Sequence, residues 1–149
     1  MKNFILFSIV LFSSFVWAQD NLIYGELGGA SPMLSVNYER QFFDNSHVNV
    51  RAGVGVSFWE AFDDANVTAP LGLYYLQDVK NGNFIELGVT TTLNLSSLSS
   101  SNFGFLLPNI GYRKYYANKK GFLKLTFCPI IFDKDEFLPW AGISVGQRF

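Results

Sequence analysis

Val48-Asn49-Val50-Arg51-Ala52-Gly53-Val54-Gly55-Val56-Ser57 is the stretch on which the fold of this chain turns. Side chains alternate across a strand. Val48, Val50, Ala52, Val54 and Val56 therefore share one face, and Asn49, Arg51, Gly53, Gly55 and Ser57 share the other. In a soluble barrel the apolar face turns inward and is bulky. Here the second face is small, polar and charged, the filling expected of a narrow barrel whose outer wall meets lipid, with a soluble sandwich as the alternative that the pattern alone leaves open.

The same division recurs. Ile85, Leu87, Val89 and Leu93 oppose Glu86, Gly88, Thr90 and Thr92, and Ala141, Ile143, Val145 and Phe149 oppose Gly142, Ser144, Gly146 and Arg148. Segments of this kind are predicted at 21–29, 33–42, 47–57, 67–77, 83–93, 103–115, 121–131 and 138–149. Turn residues separate them: Ala30-Ser31-Pro32, Asp44-Asn45-Ser46, Asp63-Asp64-Ala65-Asn66, Lys80-Asn81-Gly82-Asn83, the serine run 96–101, Asn118-Lys119-Lys120-Gly121 and Asp133-Lys134-Asp135-Glu136. A transmembrane strand takes about 9–11 residues, so eight consume on the order of 85. That leaves roughly six residues per connection, an ordinary loop length. The fold predicted is all-β, an eight-stranded antiparallel up-and-down transmembrane barrel.

The first residues read as an export leader. Lys2 is followed by the apolar run Phe4 to Val16, then by Val16-Trp17-Ala18 at a cleavage point. The run is shorter than the ~20 residues a spanning helix needs. A secretory signal peptide is expected over 1–18 and the barrel domain over 19–149. No cysteine follows the junction directly, which argues against a lipid anchor, and the single Cys128 excludes an intrachain disulfide. A net charge of −1 gives no electrostatic case for nucleic acid. The aromatic content of 17% is high for a soluble domain and points to membrane-interface belts.

With the amino terminus in the periplasm, aromatics gather at two heights. Phe42, Phe43, Phe84, Tyr115, Tyr116, Phe122 and Phe149 fall near the periplasmic ends. Phe58, Trp59, Phe62, Phe103, Phe105, Phe132, Phe137 and Trp140 fall near the outer ends. Two girdles at two membrane–water boundaries are expected of them. Pro32, Pro70, Pro108, Pro129 and Pro139 all lie in the outer half, and a proline removes a ladder hydrogen bond, so that end is predicted to be the irregular rim.

The segment Trp140-Ala141-Gly142-Ile143-Ser144-Val145-Gly146-Gln147-Arg148-Phe149 resembles the terminal strand of outer-membrane barrels, which ends in phenylalanine. Gln147 departs from the apolar residue usual two places before the end. Gly25-Glu26-Leu27-Gly28, Asn37-Tyr38-Glu39-Arg40, Arg51-Ala52-Gly53, Glu86-Leu87-Gly88 and Gly111-Tyr112-Arg113 resemble the small outer-membrane barrel proteins of the OmpA/OmpX-like group. The resemblance implies a fold and a place, the outer membrane of a Gram-negative bacterium reached after leader cleavage. It also implies that Phe149 serves as an address for the barrel-assembly machinery. Outer-membrane lipids are then the standing partner, and a monomer is expected. Functions within the group vary.

Parity assigns Glu26, Glu39 and Glu86 to the lumen together with Arg51, Arg113, Lys124 and Arg148. Buried charges must nearly cancel to survive desolvation. Such a set can form an ion or proton path, or a salt-bridged plug; the narrow interior of eight strands favours the plug.

An enzymatic role finds little support. Some small outer-membrane barrels remodel lipid A as deacylases or acyltransferases with a His–Ser pair, but here His47 is the one histidine, its neighbour Ser46 points the other way, and both sit at a turn. One histidine and one cysteine supply no metal site, no cofactor is implied, and Cys128 reads as a small filler. The loops 58–66 and 94–102 read as solvated connections, although either is able to present a surface for a partner. Three readings stand: a non-enzymatic barrel with a structural or interaction role and a plugged lumen, a lipid-modifying membrane enzyme, and a secreted lipocalin-like barrel holding an apolar ligand.

Overall fold

The computed structural model describes residues 21–29, 33–42, 47–57, 66–96, 106–116, 120–133 and 136–149. The expected leader 1–18 lies outside them, as do Pro32, Phe43, Ser46, Phe58, Trp59, Phe62, Phe103 and Phe105. Ten strands follow in chain order: β1 (Asn21–Gly28), β2 (Leu34–Gln41), β3 (Val48–Ser57), β4 (Asn66–Lys80), β5 (Asn83–Asn94), β6 (Leu107–Tyr115), β7 (Gly121–Phe127), β8 (Ile130–Asp133), β9 (Glu136–Leu138) and β10 (Ala141–Arg148).

Eight of these close an antiparallel barrel in the ring order β1-β10-β7-β6-β5-β4-β3-β2, and β8 with β9 forms a separate two-stranded hairpin. Strand alternation dictates the wall. β1 buries Leu22, Tyr24, Glu26 and Gly28 and exposes Ile23, Gly25 and Leu27; β2 buries Ser35, Asn37 and Glu39 and exposes Leu34, Val36 and Tyr38. The two ends of the chain seal the ring, since Phe149 donates its backbone N–H to the Asn21 carbonyl at 2.9 Å and accepts from Asn21 N–H at 3.3 Å. No edge strand is left in the barrel to template aggregation.

The connections fall at two ends. Residues 42–47, 81–82 and 116–120 join strands at the end that holds both termini, and 29–33, 58–65, 95–106 and 128–140 join them at the other. Asn81-Gly82 makes the tightest turn, both residues at positive φ (57° and 76°), which a two-residue hairpin needs to match strand twist. This hairpin carries β4 to Lys80, three residues past its predicted end.

Two predicted strands are corrected at the loop end. The single strand expected over 121–131 stops at Phe127, and the last barrel strand begins at Ala141 rather than 138. Pro129 has no N–H to continue the ladder. Cys128 donates to the Trp140 carbonyl at 2.7 Å as the last rung, and the chain then leaves the wall as the β8–β9 hairpin. Pro70 has the same effect in miniature. The β3–β4 ladder runs to Ala52↔Leu71 and resumes at Gly55↔Thr68, skipping the level of Ala69 and Pro70.

The girdle at the termini end is also corrected. Phe122 is buried in the lumen, packed with Leu22, Tyr24 and Tyr115. Its ring lies 5.5 Å from Tyr24 and 5.7 Å from Tyr115, and Phe84 meets Tyr115 edge-on at 5.6 Å. Phe84, Tyr115 and Phe122 thus stop the barrel from within, because their parity is that of Glu86, Arg113 and Lys124. The outward ring at this height consists of Tyr38, Phe42, Tyr75, Tyr112, Tyr116 and Phe149. Of the expected outer girdle, the described side chain is that of Trp140, whose indole donates to the Gly29 carbonyl at 3.0 Å.

Candidate functional site: the charged lumen

Inward-facing positions of an eight-stranded barrel are close enough for side chains to meet across the axis. Six ionised groups do so here. Glu26, Glu39, Arg51, Glu86, Arg113 and Lys124 are each at most 2% exposed, and three negative charges face three positive ones. A neutral sum lets such groups leave water together.

They form two networks. In the first, Arg51 on β3 reaches over β2 to Glu26 on β1 as a bidentate pair, with Nη2 to Oε1 at 2.6 Å and Nη1 to Oε2 at 3.0 Å. Two further donors are used. Nη1 also bonds the Tyr74 hydroxyl at 3.0 Å and Nε bonds Asn37 Oδ1 at 3.0 Å. Ser144 donates to Glu26 Oε2 at 3.0 Å. The fork of the guanidinium fixes the plane of the carboxylate, a geometry that lysine does not supply.

The second network is a chain of four. Arg113 on β6 donates through Nη2 to both oxygens of Glu39 on β2, at 2.8 and 2.9 Å. β2 and β6 stand opposite one another in the ring, so this pair spans the lumen. Arg113 Nε also pairs with Glu86 Oε1, and Glu86 Oε2 pairs with Lys124 Nζ at 2.7 Å. Asn49 and Tyr24 donate to Glu39 at 2.7 and 3.2 Å. Rings complete the enclosure: Lys124 Nζ lies 4.2 Å from the Tyr74 ring centroid and Arg113 Cζ 5.1 Å from that of Phe122.

Arg148, the seventh charge predicted for the lumen, sits level with Leu22 near the chain ends. It is half-buried at the end of β10, with its guanidinium 6.0 Å from the Tyr115 ring centroid. Above the networks the lumen is lined by Ser35, Ser57, Thr68, Thr90, Asn109 and Thr126, all buried. From the termini end outward, the interior therefore runs from an aromatic stopper through a charged layer to a small polar layer.

No family model matches the chain, and no curated protein matches it. A solved structure does. The chain is similar to the N-terminal β-barrel domain of Pseudomonas aeruginosa OprF at 16% identity, covering 88% of this chain and 96% of that one with a TM-score of 0.50. The fold shared with that domain is the closed antiparallel β-barrel. At this identity the likeness speaks for the architecture alone.

Two other side chains, His47 and Cys128, carry reactive groups, and Cys128 shares the inward parity of Lys124 and Thr126. His47 is exposed near the termini end, with Nδ1 2.9 Å from the Leu76 carbonyl and its ring 5.5 Å from Tyr75. Cys128 is a buried free thiol at the last rung of β7. Among the described residues no three metal-ligating side chains come together. Sequence reading missed Tyr24, Tyr74, Asn37 and Asn49 as hydrogen-bond partners of Glu39 and Arg51. Their parity was the available signal, because each shares a strand face with an assigned charge or its partner.

Proposed function

We propose that the mature chain is a monomeric, non-enzymatic barrel of a Gram-negative outer membrane, with a structural or interaction role and a lumen plugged by its own ion pairs. The observation that carries this reading is the inversion of the wall. Ile23, Leu34, Val54, Leu73, Leu87 and Val145, on six different strands, face outward at 49–59% exposure, while the inward faces bury six charges. In water such a wall is an apolar surface well beyond the few hundred Å² usual for a soluble monomer. In a bilayer it is the favourable face, and the closed ladder satisfies the backbone without solvent.

The charged interior speaks against a lipocalin-like barrel, whose mouth must offer an apolar cavity. A lipid-modifying enzyme needs a nucleophile–base pair reachable from the membrane, and the exposed His47 bonded to a backbone carbonyl is poorly suited to that work. Lipid A mass spectra with and without the gene separate the enzyme from the structural barrel.

The protein is expected to resist extraction by carbonate and to migrate faster unboiled than boiled on a detergent gel. In planar bilayers it should be non-conducting or nearly so. Recovery in the soluble fraction overturns the membrane reading, and a large, stable conductance overturns the plug.

The last strand supplies a separate expectation. The Phe149 side chain is 69% exposed, so it adds little packing once the barrel is closed. If the assembly machinery reads it, Phe149→Ala lowers the yield of assembled barrel in cells several-fold. Its midpoint of urea unfolding in detergent should change little. Equal losses in the two assays mean that Phe149 matters only for packing.

A further inference from the structure

We propose that the outer wall over β2–β5 carries a binding site for one anionic glycerophospholipid, its phosphate beside Arg40 and an acyl chain in the groove that leads away from it. This rests on the membrane reading above.

The groove is an open depression of about 640 Å³, and its lining includes Tyr38, Phe42, Leu71, Leu73 and Leu106 as outward walls. Its cause is visible in the register. Tyr38 lies beside Ala52, Ala52 beside Leu71, and Leu71 beside Thr91 on four successive strands. Ala52 is the smallest side chain in that row, so the wall dips over β3 between the Tyr38 ring and the leucines of β4. Barrel strands tilt against the axis, and a row that follows the rungs therefore crosses the wall obliquely. An acyl chain, unbranched and free to bend, fits such a channel.

The groove has one polar end. Arg40 lies two residues beyond Tyr38 on the same face and lines the groove at the termini end. The other arginine of the lining, Arg51, turns its guanidinium inward to Glu26. The Tyr38 hydroxyl donates to Asn21 Oδ1 at 2.7 Å, and Asn21 is the direct rung partner of Arg40. The Tyr38 ring is thereby held along the groove, with Arg40 and Asn21 at its head. A guanidinium engages two phosphate oxygens at once, and an apolar channel under a single cation matches a lipid with a phosphodiester head.

The opposite wall provides an internal comparison. On β6, Tyr112 donates to Asn83 Oδ1 at 2.7 Å, and Asn83 is the rung partner of Lys114. The same Tyr–Asn–cation arrangement recurs there with a lysine, which binds phosphate as a point charge without the fork.

The test is native mass spectrometry of the full barrel purified from membranes and incubated with phosphatidylglycerol in detergent. One lipid per barrel should survive gas-phase release of the micelle. Arg40→Gln and Ala52→Leu, the first removing the cation and the second filling the channel floor, should each reduce retention at least tenfold. Lys114→Gln should leave it unchanged. Equal retention in all four proteins, equal loss in Lys114→Gln, or a lipid-free dimer overturns the site. A chain that stays in the soluble fraction with no heat-dependent gel shift overturns the membrane reading along with it; an inserted barrel that retains no lipid overturns the site alone.

Discussion

Arg113→Gln is expected to destabilise the folded barrel by about 3–5 kcal/mol, the cost of breaking a buried ion pair by removing one partner. Arg113 is the residue to remove because it carries two carboxylates. It neutralises Glu39 across the lumen and Glu86 on the adjacent strand. Without it, Glu39 keeps the neutral donors Asn49 and Tyr24, Glu86 keeps Lys124, and the buried sum becomes negative. Water entering through the small polar layer lowers the figure, so the lower half of the range is the better expectation if the lumen floods. Urea unfolding in detergent, followed by the heat-dependent gel shift, measures it. Glu86→Gln alone should cost less, because Arg113 retains Glu39 while Lys124 loses its carboxylate.

The chain of four also dictates which double substitution is mild. Glu86→Gln with Lys124→Met removes one charge of each sign and leaves the Glu39–Arg113 bridge whole. It should cost less than the sum of the singles, with a coupling of about 0.5–3 kcal/mol. Glu86→Gln with Arg113→Gln is coupled as well, but it leaves Glu39 and Lys124 facing one another from separate places and should be the weaker double. Strict additivity in both pairs sinks the network. Ion leakage in bilayers should rise most for Arg113→Gln, whose pair with Glu39 spans the lumen.

Gly88→Ala is expected to cost about 1–3 kcal/mol by overpacking. Gly88 faces the lumen beneath Tyr74, and a Cβ there lies 2.5 Å from Tyr74 Cδ1, 2.8 Å from the Leu73 carbonyl oxygen and 2.9 Å from Asn109 Oδ1. The other edge of the ring lies over Gly72, where an added Cβ would come 2.8 Å from Tyr74 Cε2, so the ring is packed closely between two glycines. Moving Tyr74 disturbs both networks together. Its hydroxyl accepts from Arg51 and its face holds Lys124. The comparison is Tyr74→Phe, which loses the hydroxyl but keeps the ring. If Gly88→Ala is neutral while Tyr74→Phe is not, the small inward residues are fillers and not the room that Tyr74 requires.

These two expectations separate what lies in the chain locally from what the closed ring creates. The alternation in 48–57, 83–93 and 141–149 was enough for the barrel and for the side of the wall that Arg51 and Glu86 take, because the pleat forces successive side chains to opposite faces. Phe84, Tyr115 and Phe122 were placed at the right height and on the wrong side. Height was read from strand ends while parity, which both sets of residues obey, was applied to the charges and not to the rings. The strand expected through 131 failed at Pro129, where one missing N–H turned the chain out of the wall.

By itself, then, the sequence determined the faces, the strand count and the set of groups sent inward, all properties of the covalent pleat and of residues a few places apart. The tertiary structure decided who meets whom. Arg113 reaches Glu39 from 74 positions away only because the ring brings β6 opposite β2, and Arg51 reaches Glu26 rather than its rung partner Glu39. Pairings across a lumen depend on shear and closure, which emerge when the first and last strands join, and no local pattern encodes that distance.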